Sequence, residues 1–161
     1  MARTDKGAEK TNVMRLLDQA GIAYIPHYYD SELTSGTEVA AALGQSGECL
    51  FKTLVTLAGN GEHFVFVIPA EGTLDLKKAA RAAGVKSIAM LKQKDLLPLT
   101  GYVHGGCSPV GMKKPFPTFI DETALITDAF FCSAGRRGAQ IEVGAEALAD
   151  YIGAVFADLT E

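Results

Sequence analysis

Long hydrophobic segments are missing from this sequence of 161 residues. Its longest apolar runs are short, such as FVFVI at residues 64–68, whereas a membrane-spanning helix needs about 20 apolar residues. The first ten residues, MARTDKGAEK, are polar and contain no apolar signal region. The sequence therefore predicts neither a membrane-spanning protein nor one that carries a secretory signal.

Cysteine is scarce as well, with three residues in the whole chain. A small and odd number of cysteines does not suit a disulfide framework, so the reducing cytoplasm is the expected compartment. Cys49 and Cys132 fall within apolar runs and are expected in the core. Cys107 lies in a glycine-rich segment instead, which leaves it as a candidate reactive thiol.

A large excess of positive charge is also absent, because the net charge is −4 and does not by itself indicate a nucleic-acid-binding protein. The charge is unevenly distributed. Residues 77–137 contain ten lysines and arginines but four acidic residues, although the whole chain has 15 basic and 19 acidic residues. This segment either presents one basic face to phosphate groups or carries its charges on scattered, solvated helix faces.

The composition indicates one globular domain, because 48% of the residues are hydrophobic and 21% are charged. We expect a loose tail over residues 1–10 and a single domain over residues 11–161. Short strands with interspersed helices predict an α+β or mixed α/β fold. Strands are predicted at 22–29, 50–57, 64–68, 85–90, 118–121, 130–133, 141–143 and 155–157. Helices are predicted after Thr11 or Asn12, after Ser35 and after Asp75 or Thr73, and a final helix is predicted at 146–152.

Three local signals specify turns and helix ends. Ser35 and Glu38 form the S-x-x-E pattern of a capping box at a helix N-terminus. The Gly59-Asn60-Gly61 sequence between two strands predicts a hairpin with a type I′ turn. Residues 93–97 predict a single helical turn that Pro98 ends.

Lys52 stands out in the predicted strand over residues 50–57. Alternation along a strand places it on the same face as Leu50 and Leu54. A lysine that is partly buried among apolar groups resists carrying its charge unless an anion lies beside it, and a phosphate or a developing oxyanion would serve. The alternative is a lysine whose stem lies on apolar surface while its ammonium group stays in water.

A glycine-rich segment, GGCSPVG at residues 105–111, is followed by two lysines. Closely spaced glycines allow backbone N–H groups to approach a ligand and to form an anion-binding concavity. Loops of this length are more often functional than not, although an ordinary surface loop fits the same residues. His104 and Cys107 suggest a nucleophile pair only weakly, and no second ligand pair at zinc spacing accompanies them, so no metal is predicted.

Residues 133–138 (SAGRRG) form the third candidate segment. It suits a hairpin turn with solvated arginines. An arginine between glycines would also clamp a phosphate or hold the glycine-rich loop in place.

These segments together resemble the YbaK/EbsC family of aminoacyl-tRNA deacylases. The resemblance is carried, in one order and with matching spacing over roughly residues 10–158, by FKTL at 51–54, LDLKK at 74–78, GYVHGGCSPVGMKK at 101–114, PTFID at 117–121 and SAGRRG at 133–138. It implies a YbaK-like mixed α/β domain with a curved, mainly antiparallel sheet surrounded by helices. It also implies hydrolysis of mischarged tRNA, with Cys-tRNA(Pro) as the expected substrate and no cofactor.

The resemblance further implies roles for particular residues. Lys52 is the family's essential lysine, and Gly105 to Pro109 is its G-x-x-x-P loop, in which Gly105 and Gly106 are expected to stabilise the oxyanion through their N–H groups. The substrate-binding residues implied are Thr53, Cys107, Ser108, Pro109, Ser133, Gly135 and Arg137. The expected partners are the acceptor end of tRNA(Pro) and prolyl-tRNA synthetase. Position 107 does not match a catalytic cysteine of the family.

Because these motifs contain no evident general base, we expect substrate-assisted cleavage, in which the cysteine thiol of the substrate attacks its own ester carbonyl. Three alternatives stay open at this stage. The domain edits another ester such as Ala-tRNA(Pro), it binds tRNA or a synthetase without catalysis, or it uses Cys107 as a nucleophile.

Overall fold

The computed structural model of the protein describes residues 9–33, 35–46 and 48–161. Most of the expected tail at 1–10 lies outside these residues. The helices are α1 (Asn12–Ala20), α2 (Gly36–Ala42), α3 (Leu76–Ala83), α4 (Gln93–Thr100) and α5 (Ala145–Ile152), with a 3₁₀ turn at Glu122–Leu125. The strands are β1 (Tyr24–Tyr28), β2 (Phe51–Ala58), β3 (His63–Pro69), β4 (Ile88–Met90), β5 (Thr118–Asp121), β6 (Phe130–Ser133), β7 (Ala139–Val143) and β8 (Val155–Ala157).

The strands form two sheets that meet at one point. One sheet has the order β1-β7-β6, and the other has the order β4-β2-β3-β5-β8. Over the described part of the chain four of the six strand pairings are antiparallel, while β3–β5 and β5–β8 are parallel. A parallel bridge between Leu50 and Phe131 links the end of one sheet to the start of the other. The predicted mixed α/β fold with a mainly antiparallel sheet is confirmed.

Apolar residues bury both faces of the strands. The alternating residues Phe51 and Val55 of β2 face the main core, which α1 and α5 close from outside. Phe64 and Phe66 belong to a second cluster beneath α3. A third cluster joins α2 to the two bridge residues through Val39. Among the described residues, none of the helices is both long and apolar enough to cross a membrane.

The capping box at α2 is confirmed. The Ser35 side chain accepts a hydrogen bond from the Glu38 backbone N–H at 3.1 Å, and its hydroxyl donates to the Glu38 carboxylate. Thr11 caps α1 in the same manner by accepting from the Met14 N–H. Asp75 caps α3 by accepting from two backbone N–H groups.

The hairpin between β2 and β3 is present, but its predicted turn type is wrong. A type I′ turn needs positive φ at both central residues, and of these three residues only Gly61, with φ of 90°, has one. The Gly61 N–H donates to the Ala58 carbonyl, and the Ala58 N–H donates to the Glu62 carbonyl. Asn60 therefore has no positive φ, and Gly61 alone takes the left-handed conformation that closes the turn between β2 and β3.

The prediction that Pro98 ends a single helical turn is also wrong, because α4 continues through it to Thr100. A proline in the helix interior leaves the carbonyl four residues earlier, here that of Lys94, without its usual N–H partner, and the helix tolerates this loss near its N-terminus. Thr100 then stabilises the last turn by donating from its hydroxyl to the Leu96 carbonyl at 2.8 Å. Gly101, with φ of 88°, ends the helix.

Candidate functional site

A cavity of about 290 Å³ lies where the two sheets join. It is lined by the start of β2, by the glycine-rich loop after α4, and by side chains from β7, α2 and the segment after β1. The lining residues are Tyr29, Leu33, Gly36, Val39, Leu50, Phe51, Lys52, Thr53, Leu54, Ala70, Leu96, His104, Gly105, Cys107 and Gln140. Its wall is thus mostly apolar, with a small number of polar groups, as is typical of ligand sites.

The register around the bridge explains why these polar groups converge. Residues that pair across strands lie on the same face of a sheet. The Leu50–Phe131 bridge and the Ser133–Gln140 pair therefore place Lys52 of β2 and Gln140 of β7 on one continuous face. The strands separate beyond the bridge, and the cavity occupies the space between them.

Lys52 lines this cavity in a half-buried position between Leu50 and Leu54. Within the described residues its ammonium group has no carboxylate within salt-bridge distance. Burial lowers the pKa of Lys52, because desolvation penalises the charged form. An anionic or strongly electronegative ligand oxygen would offset that penalty, so the position suits a group that binds negative charge.

The glycine-rich loop brings backbone donors to the same cavity. Gly105, with φ of 87°, and Cys107 both line it. In the part of the chain that the structure describes, neither residue's N–H donates to a protein acceptor. The expectation that the Gly106 N–H also points to a ligand is wrong, because that N–H donates to the Val103 carbonyl at 2.9 Å. The N–H groups of Gly105 and Cys107 stay as candidate donors to a ligand.

Main-chain contacts hold this loop against the turn between β6 and β7. A Cβ added at Gly106 would lie 2.9 Å from the Arg136 Cα and 3.0 Å from the Arg137 nitrogen. The Arg137 Nε also donates to the His104 carbonyl at 2.9 Å. The sequence suggests that an arginine here clamps a phosphate or holds the glycine-rich loop in place. The structure contains the contact that the second role requires.

The other residues implied by the resemblance fall into two groups. Thr53 lines the cavity with Lys52. Ser108, Pro109, Ser133, Gly135 and Arg137 are not among the lining residues. Ser108 and Ser133 use their hydroxyl oxygens within the fold, since each accepts from the backbone N–H two residues further on. Both serines therefore stabilise the segments that contain them, the glycine-rich loop and the turn after β6, and do not line the cavity.

Cys107 lines the cavity, but its thiol is poorly suited to nucleophilic attack. Burial raises the pKa of Cys107 to about 12, so the thiolate is scarce at neutral pH. The side chain is 8% exposed and packs in the main core. Burial raises the pKa of Cys132 to about 12 as well, in agreement with its expected place in the core.

The sequence interpretation missed Gln140 and most of the apolar wall. Gln140 is 6% exposed and lines the cavity from the middle strand of its sheet. The alternation in β7, with Gln140 and Glu142 between buried apolar residues, was the one available signal for an inward polar residue. Wall residues such as Leu33 and Leu96 come from segments far apart in sequence, so no local pattern could link them.

Comparisons with known proteins agree on one family. The family model described as aminoacyl-tRNA editing domain matches residues 30–151. A protein of Enterococcus faecalis with the provisional name Cys-tRNA(Pro)/Cys-tRNA(Cys) deacylase EbsC is 43% identical over 157 residues, which cover 96% of each chain. A proline–tRNA ligase of Methylobacillus flagellatus is 24% identical over 64% of this chain and 19% of its own length. A crystal structure provisionally described as a trans-editing enzyme for prolyl-tRNA synthetase superposes with a TM-score of 0.81, at 25% identity and 99% coverage of both chains.

Proposed function

The chain belongs to the aminoacyl-tRNA editing domain family, and from that premise we propose that it hydrolyses the ester bond of mischarged tRNA, with Cys-tRNA(Pro) as its substrate. The single observation that carries this proposal is that Lys52, Gly105 and Cys107 line one small cavity, while the N–H groups of Gly105 and Cys107 have no acceptor among the described residues. An ammonium group and two amide donors form a site for an oxygen that gains negative charge.

The size of the cavity suits the aminoacylated end of a tRNA rather than a larger part of it. Its volume of about 290 Å³ is roughly ten times the share of one water molecule in the liquid. That space holds an amino-acid ester and part of the terminal nucleoside, so the rest of the acceptor stem stays outside. The basic residues of the segment 77–137 would then meet the tRNA backbone at the surface.

The proposed chemistry needs little from the protein, because an aminoacyl ester is already activated. The Gly105 and Cys107 N–H groups would stabilise the carbonyl oxygen as it becomes an oxyanion, and Lys52 would hold a ribose or phosphate oxygen or share that charge. The lining residues that the structure describes include no aspartate or glutamate, so this part of the wall does not supply the usual carboxylate base.

The substrate's own thiol would therefore supply the nucleophile. Its sulfur attacks the ester carbonyl, the bond from that carbon to the ribose 3′ oxygen breaks, and the ribose oxygen takes up the proton that the thiol loses. The products are a thiolactone and uncharged tRNA, and water opens the thiolactone to free cysteine. This route explains how a site whose described wall contains neither a serine nucleophile nor a carboxylate base can be specific.

The first test compares tRNA(Pro) charged with cysteine, alanine or serine. We expect Cys-tRNA(Pro) to be deacylated at least about 100-fold faster than the other two, because they lack the thiol and lose the intramolecular advantage. Initial rates of release of the labelled amino acid measure this. If Ser-tRNA(Pro) or Ala-tRNA(Pro) reacts as fast as Cys-tRNA(Pro), the thiol route is excluded, and fast alanine release alone would identify an alanine editor.

A second test separates the substrate's thiol from the protein's own. The variant Cys107→Ser should keep kcat/KM within about 3-fold of the wild type, because the Cys107 thiol is protonated at neutral pH and the loop contributes through its backbone. Deacylation assays and thermal unfolding of both proteins check this. A loss of more than about 100-fold in a variant that unfolds at the wild-type temperature would revive the cysteine nucleophile.

The proposed partners follow from the same substrate. The domain would meet mischarged tRNA(Pro) in the cytoplasm, close to prolyl-tRNA synthetase, whose mistakes it corrects. Its net charge of −4 indicates weak affinity for tRNA alone, so proximity to the synthetase would raise the local substrate concentration. A protein that binds charged tRNA but releases no amino acid at any enzyme concentration would be the non-catalytic module instead.

A further inference from the structure

Two oxygen atoms of residues in the wall of the cavity have no hydrogen-bond partner within residues 9–33, 35–46 and 48–161. They are Oγ1 of Thr53 and Oε1 of Gln140, and both atoms are buried. Gln140 lies on β7 between Ala139 and Ile141, which face the main core, and its own side chain faces the opposite side of the sheet. Thr53 follows Lys52 on β2 and reaches the cavity from the other wall.

Unsatisfied buried oxygens of this kind are uncommon in folded proteins, because each loses its water without gaining a partner. The Lys52 ammonium group, which belongs to a residue of the same wall, makes no hydrogen bond to either oxygen. The Thr53 hydroxyl does not donate to Gln140 either. Two unused acceptors thus belong to residues that line one cavity.

The chemistry of the missing ligand group follows from these acceptors. A carbonyl oxygen of an amide accepts and cannot donate, so Gln140 requires an N–H or O–H group. A group with several donors can serve Gln140 and Thr53 at once, and a primary ammonium has three. The Lys52 charge in the same cavity would repel a second cation placed beside it, so the ammonium must lie at the Gln140 end and the electronegative oxygens at the Lys52 end.

We propose that Gln140 and Thr53 form a subsite for the α-ammonium group of the aminoacyl ester, an inference that rests on the function proposed above. The subsite fixes the amino-acid end of the substrate, while Lys52 and the loop amides hold the ester and ribose. Gln140 is a neutral acceptor, so it binds the ammonium without a buried carboxylate that would attract Lys52. The pair makes the site selective for esters with a free amino group.

The experiment uses inhibitors in which the ester is replaced by a stable amide. One is tRNA(Pro) ending in 3′-amino-3′-deoxyadenosine linked to cysteine, and its counterpart carries 3-mercaptopropionate, which lacks the amino group. Inhibition constants against Cys-tRNA(Pro) deacylation are measured for the wild type and for Gln140→Met, Thr53→Val and Thr53→Ser. Gln140→Met keeps the size of the side chain but removes the acceptor, and Thr53→Ser keeps the hydroxyl as the matched control.

The wild type should prefer the inhibitor with the amino group by about 10- to 100-fold, the effect of a hydrogen bond to a charged group. Gln140→Met should lose most of this preference, Thr53→Val part of it, and Thr53→Ser little. For Cys-tRNA(Pro) itself the loss should fall mainly on KM. Gln140→Met should also unfold at or above the wild-type temperature, because it removes an unsatisfied buried acceptor.

Several results would overturn the subsite. Equal inhibition of the wild type by both compounds would do so, as would a preference that survives in Gln140→Met. A drop in unfolding temperature that accounts for the loss in Gln140→Met would point to a structural residue. If the variants instead lose affinity for both inhibitors and not for a 2′-deoxy version, the donor is the ribose 2′-hydroxyl. A wild type that releases no cysteine at all defeats the proposed function, which is a separate outcome.

Discussion

Replacing Lys52 by methionine should lower kcat/KM for deacylation of Cys-tRNA(Pro) by about 100- to 1000-fold. This is the usual cost of removing one group that stabilises developing negative charge in a closed site. The Lys52 ammonium has no protein counterion among the residues that the structure describes, so its partner is expected to be the substrate. Steady-state kinetics with Cys-tRNA(Pro) measure the loss.

The same substitution should leave the folded protein at least as stable as the wild type. Lys52 is half-buried and its pKa is lowered by desolvation, so an apolar side chain of similar length removes a penalty. Lys10→Met is the matched control, because Lys10 is exposed, lies outside the basic segment 77–137 and is not among the residues that line the cavity. Unchanged deacylation by Lys52→Met, with normal binding of tRNA, would remove Lys52 from the mechanism.

Adding one methyl group at Gly106 should abolish most of the activity without touching the cavity. The Cβ of Gly106→Ala would lie 2.9–3.0 Å from main-chain atoms of Arg136 and Arg137, which cannot move aside as a flexible side chain would. The loop must shift, and the N–H groups of Gly105 and Cys107 shift with it. We expect kcat/KM to fall by at least about 100-fold, because small displacements of reacting groups are that costly.

Overpacking of this kind should also lower the free energy of unfolding by about 1–3 kcal/mol. Gly144→Ala is the matched control. Its φ of −64° suits alanine, and the nearest atom to an added Cβ is the Asp128 carbonyl oxygen at 3.9 Å. Chemical denaturation and deacylation rates are compared for the two variants. Wild-type kinetics in Gly106→Ala would show that the position of the loop does not govern catalysis.

The parts of the site that follow from local pattern could be predicted from the sequence. Alternation along β2 placed Lys52 on a partly buried face, and the glycines at 105 and 106 indicated a loop with a special backbone. The direction of each N–H group could not be predicted, because it depends on the local turn. The Gly106 N–H is used by Val103 inside that turn, which the spacing of glycines does not reveal.

Other features of the site and the fold depend on contacts between residues far apart in the sequence, which local patterns do not reveal. Gln140 lies on β7, and its sheet is joined to β2 by the bridge between Leu50 and Phe131 of β6, which links positions 81 residues apart in the chain. Pro98 lies inside α4, so the surrounding structure outweighs its local tendency to end a helix. The hairpin after β2 does not depend on such packing. Its turn needs one residue in the left-handed conformation, and Gly61 supplies it.

The contact between Gly106 and the turn at 136–137 joins one main chain to another. Such a contact depends on the number of residues in each segment more than on which side chains they carry. A substitution at position 136 would thus leave this main-chain contact in place, whereas inserting or deleting one residue between Ser133 and Gly138 would displace the glycine-rich loop from the cavity. This contact therefore constrains the length of the turn more strongly than its amino-acid composition.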